Sequence, residues 1–174
     1  MPLSWNEIRK RAIAFSHDWA DAHYEKGETQ SFYNDFFHVF GIRRRAVAVY
    51  EEKVKKLNNK YGFIDLFWPG RILVEQKSAG RDLQKAKEQA TDYFVSLSPD
   101  EQPRYILLSD FQNFELLDLV DHSEHRFELK DLHENVGLFG FIAGYEQQKY
   151  EDQDPVNIKA SELMSKLHRQ LEES

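Results

Sequence analysis

The chain has 174 residues, of which 41% are hydrophobic, 14% aromatic and 30% charged, with 23 basic and 30 acidic side chains and a formal net charge of −7. That length suits one domain, with or without a helical extension, and the composition excludes a disordered or fibrous chain. The absence of cysteine excludes a disulfide scaffold, thiolate zinc or iron–sulfur ligation and a thiol nucleophile.

No apolar run approaches the roughly 18 residues that a membrane helix needs. Glu7, Arg9, Lys10 and Arg11 stand where a signal peptide would be apolar. A cytoplasmic protein with no membrane partner is expected.

In chain order, Ser4 and Glu7 form an S-x-x-E capping box. Ile8, Ala12, Phe15 and Trp19 carry a helix on to about Tyr24, and Gly27 ends that unit. Thr29 caps a second helix through Phe32, Phe36, Phe37 and Phe40, stopped by Gly41. A third helix is predicted over 43–59, with Ala46, Val47, Val49, Tyr50, Val54 and Leu57 apolar. The runs at 62–68 and 71–77 flank Pro69-Gly70 and predict a hairpin. Helical spacing returns over 81–97. Strands are predicted at 104–109, 114–120 and 125–129, and a helix near Asp131. Residues 145–155 are polar and predict a linker. Ala160, Leu163, Met164, Leu167 and Leu171 predict a last amphipathic helix with no partner inside a finished domain. The order implies an α/β (α+β) domain around a small sheet.

Charge is unevenly distributed. Residues 43–99 hold twelve basic and seven acidic side chains, whereas residues 100–154 hold four and fourteen. An acidic chain argues against a free-standing nucleic-acid binder, yet a local basic surface can still meet phosphates.

The chemistry-bearing pattern is Asp65, Glu75 and Lys77, spaced D-x9-E-x-K. Glu75 and Lys77 share a face of their strand, and Gln76 points away. Asp65 and Glu75 oppose each other only if the hairpin is centred on Gly70 with an odd-length loop. A two-residue turn would set Asp65 against Val74 instead. In the productive register two carboxylates face each other with their Cβ atoms about 5 Å apart. A hard divalent cation such as Mg²⁺ would offset their repulsion, polarise a phosphoryl oxygen and lower the pKa of a bound water. Lys77 would orient the water and offset charge developing on the phosphate. On the next helix Lys85, Gln89 and Tyr93 form one stripe. Gln89 would position a catalytic residue, and Tyr93 would contact substrate or brace the site. Glu51 or Glu52 would add an acidic group from the preceding helix.

FID-x9-EQK followed by Q-x-x-x-Y resembles the PD-(D/E)xK nuclease core, and its RecB-like branch in particular. The segments FYNDFFHVFG (32–41), LFGFIAGYE (138–146) and VNIKASELMSKLHRQL (156–171) are similar to the N-terminal part of Type IIL (MmeI-like) fused restriction–modification enzymes. Ile64 replaces the proline of the family's PD. The resemblance implies N-terminal helices over 1–60, a nuclease core over 61–144 with a small mixed sheet flanked by helices, and over 145–174 a linker with the start of a helical connector. It implies catalytic Asp65, Glu75 and Lys77, a metal held by Asp65 and Glu75 (Mg²⁺, with Mn²⁺ able to substitute), and support from Gln89, Tyr93 and Glu51. Lys85 and Arg81 are expected to contact double-stranded DNA. S-adenosylmethionine would belong only to a methyltransferase further along the same polypeptide, together with a target-recognition domain. The chain itself is expected to be an N-terminal portion, monomeric or weakly dimeric. Rival readings keep this core: a catalytically inactive DNA or protein interaction module, a Type I restriction subunit, or a repair nuclease.

Other features have plainer readings. His122 and His125 are solvated, Gly137, Gly140 and Gly144 serve close helix packing, Phe32–Phe40 is core, and Asp110 and Asp118 receive no role.

Overall fold

A computed structural model describes residues 2–145, so the linker and connector helix expected beyond Tyr145 lie outside the described residues. Helix α1 spans Trp5–Asp18, with the Ser4 Oγ accepting from the Glu7 N–H at 3.1 Å as the capping box predicts. It ends before Tyr24, because Trp19 begins a turn and its indole donates to Asp35 at 3.0 Å. Helix α2 spans Glu25–Val39. It starts earlier than Thr29 because the Glu28 carboxylate accepts from the backbone N–H groups of Tyr24 and His23 at 3.0 and 3.1 Å. Those bonds hold the Glu28 carboxyl below its usual range, the Tyr24 bond first. Gly27 therefore sits in the first turn of α2 rather than ending α1. Gly41, at φ +77°, stops α2 as expected.

The third helix predicted over 43–59 is corrected. Only a single turn forms, α3 at Arg44–Val47, and the chain then enters strand β1, Val49–Lys55. The spacing of Tyr50 and Val54 suits either a helix or a strand. β-Branched and aromatic residues favour the strand once a partner offers a hydrogen-bond ladder. That partner is β2, Tyr61–Trp68. The hairpin continues into β3, Ile72–Gln76, followed by α4, Leu83–Ser96. Strands β4 (Tyr105–Ser109), β5 (Asn113–Asp118) and β6 (Ser123–Glu128) complete the sheet. The helix expected near Asp131 is broken into short 3₁₀ and α turns, including α5 at Leu132–Asn135 and α6 at Gly140–Ala143.

The six strands lie in the order β1-β2-β3-β4-β5-β6. The β3–β4 pair is parallel and all the others are antiparallel. Helix α4 makes the crossover that a parallel pair requires. The fold is thus a mixed α/β domain, a six-stranded mixed sheet with helices on both sides.

Each sheet face carries its own core. Ile72, Val74, Leu107, Phe114 and Leu116 pack with α1, α2 and the C-terminal turns, where Phe15, Phe32, Phe36, Phe40 and Phe139 are buried. Leu73, Ile106, Leu108 and Leu117 pack against Ala86, Ala90 and Phe94 of α4. The Phe-rich stretch is therefore core. Asp118 is bound in a two-point pair by Arg104 at 3.0 Å, and Asp110 accepts from the N–H groups of Gln112 and Asn113 in the β4–β5 turn.

One close approach locks α4 onto β2. A Cβ added to Gly62 would lie 2.6 Å from Cε1 of Tyr93 and 2.8 Å from its hydroxyl. Gly62→Ala should therefore force the ring outward and cost about 1–3 kcal/mol of stability, as overpacking of a close contact does. Urea denaturation checks this, the expected result being a lower midpoint at an unchanged slope.

Candidate active site

The β2–β3 hairpin pairs Leu66 with Val74, Phe67 with Leu73 and Trp68 with Ile72. This register is centred on Gly70, which has φ +76°, and leaves the three-residue loop Pro69-Gly70-Arg71. It is the register that sets Asp65 across from Glu75. The regular ladder stops there and side chains take over. The Gln76 N–H donates to Asp65 Oδ2 at 2.7 Å, and the Asp65 N–H donates to Glu75 Oε1 at 3.3 Å.

The strand geometry changes at this point. Ile64 packs with α4, whereas Leu66 packs on the opposite face, although residues two apart in a strand normally share one. The same break occurs in β1, where Val54 and Tyr50 face opposite cores. Between them Glu51 has φ +52°, a left-handed conformation uncommon for a residue with a side chain. The β1–β2 pairing is unshifted across the break, with Tyr50 opposite Leu66 and Glu52 opposite Ile64. Both strands therefore reverse their facing together, at Glu51 and Asp65, which lie opposite each other.

Glu75 is 3% exposed, and Asp65 is half-buried. Burial, and then the charge of Asp65, push the Glu75 carboxyl well above the usual carboxylate range. Lys77 pulls in the other direction more weakly. Its ammonium donates to Gln89 Oε1 on α4 at 2.6 Å, while its backbone N–H continues the β4 pairing at Ser109 O, 2.8 Å away. The Tyr93 hydroxyl accepts from the Phe63 N–H at 3.2 Å. Its own pKa is raised by burial, then by Glu75.

The structure therefore brings Asp65, Glu75, Lys77, Gln89 and Tyr93 to one face between β2, β3 and α4. It does not make Glu51 a third member of a metal-binding cluster. Among the described residues no group of three or more His, Cys, Asp and Glu side chains could hold an ion. Glu51 lies on an edge strand instead of a helix, and its side chain is exposed. Arg81 and Lys85 line a cleft of about 580 Å³ that runs up to Lys77.

The donor set fits a divalent cation. Two carboxylates converge, one of them almost fully buried, and the burial and repulsion acting on Glu75 are the penalties that a bound cation removes.

Sequence reasoning missed two groups. Lys26 of α2 joins the cleft wall beside Lys77. Tyr33, also on α2, donates to Gln76 Oε1 on the far side of the sheet. Gln76 is the residue whose N–H holds Asp65, so its side chain and main chain tie α2 to the carboxylate pair. The Gln76 Nε2 is buried without a hydrogen-bond partner among the described residues. Tyr33 stands inside an aromatic run that signals core, and nothing in the spacing separates its hydroxyl from the neighbouring phenyl rings.

The fold is a mixed α/β domain whose central hairpin carries a carboxylate pair and a lysine on one face. Residues 10–174 match the family model described as MmeI, N-terminal domain, and the chain belongs to that family. No curated protein matches the chain. Among solved structures, a chain in the cryo-EM structure of a DrdV–DNA complex is similar at 18% identity with a TM-score of 0.48. The match covers 82% of this chain and 14% of that one. Among the described residues no helix is long and apolar enough to cross a membrane.

The raised Glu75 carboxyl has a consequence for stability. Its folded-state pKa lies above its ordinary value of 4.5, so the protonated form favours folding. This contribution is complete below that ordinary value and is lost as pH rises through the folded-state value. In metal-free buffer Glu75→Gln should match the wild type near the acid end of that window. It should be the more stable protein above it, with the gap widening as pH rises. Denaturant titrations in chelator at several pH values measure that gap, and a constant gap would contradict the assignment.

Proposed function

We propose that this domain is a Mg²⁺-dependent DNA endonuclease of the PD-(D/E)xK type and forms part of a fused restriction–modification enzyme acting in the cytoplasm. The observation that carries this reading is the Gly70-centred register. It puts a buried and a half-buried carboxylate side by side, with Lys77 two residues along and held by Gln89 at 2.6 Å.

Asp65 and Glu75 would hold the ion, with Mn²⁺ able to replace Mg²⁺. Bound there, the ion polarises a phosphoryl oxygen and lowers the pKa of a water. Lys77 orients the attacking water and offsets the charge that develops on the phosphate. Gln89 restrains the Lys77 side chain, whose four-carbon stem would otherwise sample many rotamers. Tyr93 braces β2 through Phe63 and closes the carboxylate pair on the α4 side. Lys26, Arg81 and Lys85 line the approach and attract the DNA backbone.

Family membership supports the wider reading. An S-adenosylmethionine-dependent methyltransferase and a target-recognition domain would lie on the same polypeptide, and tethering would supply the DNA at high local concentration. That accounts for a nuclease with a net charge of −7. Cutting both strands would call for two copies acting together.

Two measurements test the reading. Calorimetric titration with Mn²⁺ or Mg²⁺ should show binding to the wild-type chain and none to Asp65→Ala; equal binding by both would contradict the assigned ligands. In the complete enzyme, Lys77→Ala should lower the cleavage rate by about 10²–10³, the usual loss on removing a group that stabilises developing charge. Cleavage unchanged by that substitution would remove Lys77 from the mechanism.

A further inference from the structure

The aromatic core covers β1 and β2 only as far as Tyr50 and Leu66. Beyond the break at Glu51 and Asp65 the two strands continue as a ribbon. One side of this ribbon is closed by Val54 and by Tyr93 against Gly62. The other side is open. There Lys53 stands opposite Phe63 and Lys55 opposite Tyr61. Phe63 is 53% and Tyr61 57% exposed, and Leu57 at the turn is 76% exposed. The Lys53 ammonium lies 4.4 Å from the centroid of the Tyr61 ring. Residues 53–60, KVKKLNNK, hold four lysines and no acidic residue. None of the four has an acidic partner among the described residues.

Lysines on an edge strand commonly guard against strand addition, and the exposure of Lys53 and Lys55 alone would mean no more than that. Two half-exposed aromatic rings on the same face do not fit a guard. Large apolar side chains rimmed by charge mark a contact surface. Residues 53–60 carry only positive charge, with Glu51 and Glu52 just before them on the strand, so the complementary partner is a polyanion. The spacing fits a phosphodiester backbone, and the proposed nuclease site at the base of the same ribbon favours DNA over an acidic protein segment. Lys53 and Lys55 are about 6.6 Å apart along the strand. That is close to the rise of two nucleotides, about 6.8 Å along the helix axis of B-DNA. From Glu51, across from Asp65, to Lys55 is about 13 Å, or roughly four nucleotides. A two-stranded ribbon also fits the width of the DNA major groove.

We propose that the β1–β2 ribbon is a second DNA contact, in which Lys53, Lys55 and Lys60 meet the duplex backbone beside the scissile phosphate while Tyr61 and Phe63 pack on sugars and base edges. This rests on the nuclease reading for the identity of the polyanion, but it uses none of the residues assigned to the metal or to the chemistry.

The test is fluorescence anisotropy on a short labelled DNA duplex, in chelator, over a range of salt concentrations. Three proteins are compared: the wild-type chain, the triple variant Lys53→Gln, Lys55→Gln, Lys60→Gln, and the double variant Tyr61→Ser, Phe63→Ser. All the substituted side chains are exposed, and melting curves verify that the variants fold. Neutralising the lysines should weaken binding about tenfold or more. It should also flatten the log K against log salt plot by about 0.9 for each phosphate that the protein no longer neutralises. Removing the rings should weaken binding about tenfold with the slope unchanged. An unchanged affinity and slope in the triple variant would overturn the proposal, as would a wild-type chain that binds no duplex at low salt. Calorimetry with Mn²⁺ or Mg²⁺ on the wild-type chain separates the two readings. Ribbon-dependent DNA binding by a chain that takes up no divalent ion in calorimetry would sustain the ribbon and overturn the nuclease.

Discussion

Two carboxylates held side by side repel, and burying one of them makes the arrangement worse. Asp65 and Glu75 are nevertheless adjacent, because the hairpin that carries them is packed on both faces. A one-residue slip would turn Leu66, Phe67, Leu73 and Val74 to the wrong sides, and each is at most 1% exposed. A slip would exchange these side chains between two differently shaped apolar cores, and each misfit costs about 1–3 kcal/mol. Two full charges at 4 Å in a partly screened site repel by about 4 kcal/mol. The apolar packing wins. The remainder of the site depends on this outcome, since Lys77 and its bond to Gln89 follow from the placement of Glu75.

The same constraint explains the irregularity at Glu51 and Asp65. A regular β2 would present Leu66 and Ile64 to the same core. Here the β3 register puts Leu66 toward the phenylalanines, while Ile64 is required under α4. The conflict is resolved within a single residue, Asp65. Its partner strand follows by taking Glu51 through a left-handed conformation. The distortion ends the regular ladder where the Gln76 N–H would otherwise remain unpaired, and the Asp65 carboxylate accepts that bond. The change of facing thus falls at Asp65, a candidate metal ligand, while the left-handed φ falls on Glu51 across from it.

Support for the carboxylate pair comes from both sides of the sheet. On one side α4 supplies Gln89 and Tyr93. On the other, Tyr33 of α2 bonds the side chain of Gln76, whose main chain holds Asp65. The first two helices are therefore more than a cover for the sheet. They fix the strand from behind and supply Lys26 to the cleft in front.

Much of this was legible in the amino-acid sequence. The hairpin, the following helix and the D-x9-E-x-K spacing follow from local periodicity and from Pro69-Gly70, because strand and helix patterns arise from near neighbours. The spacing also carried its own condition, a turn centred on Gly70. Whether that condition is met depends on which residues the two cores demand, and only the tertiary structure decides it. Residues 43–59 show the limit from the other direction. Their apolar spacing suits a helix in isolation, yet they become an edge strand because β2 offers a ladder that an isolated segment cannot see. Tyr33 and Lys26 escaped for the same reason. Their roles come from contacts across the sheet and across the cleft, and no spacing along the chain encodes those contacts.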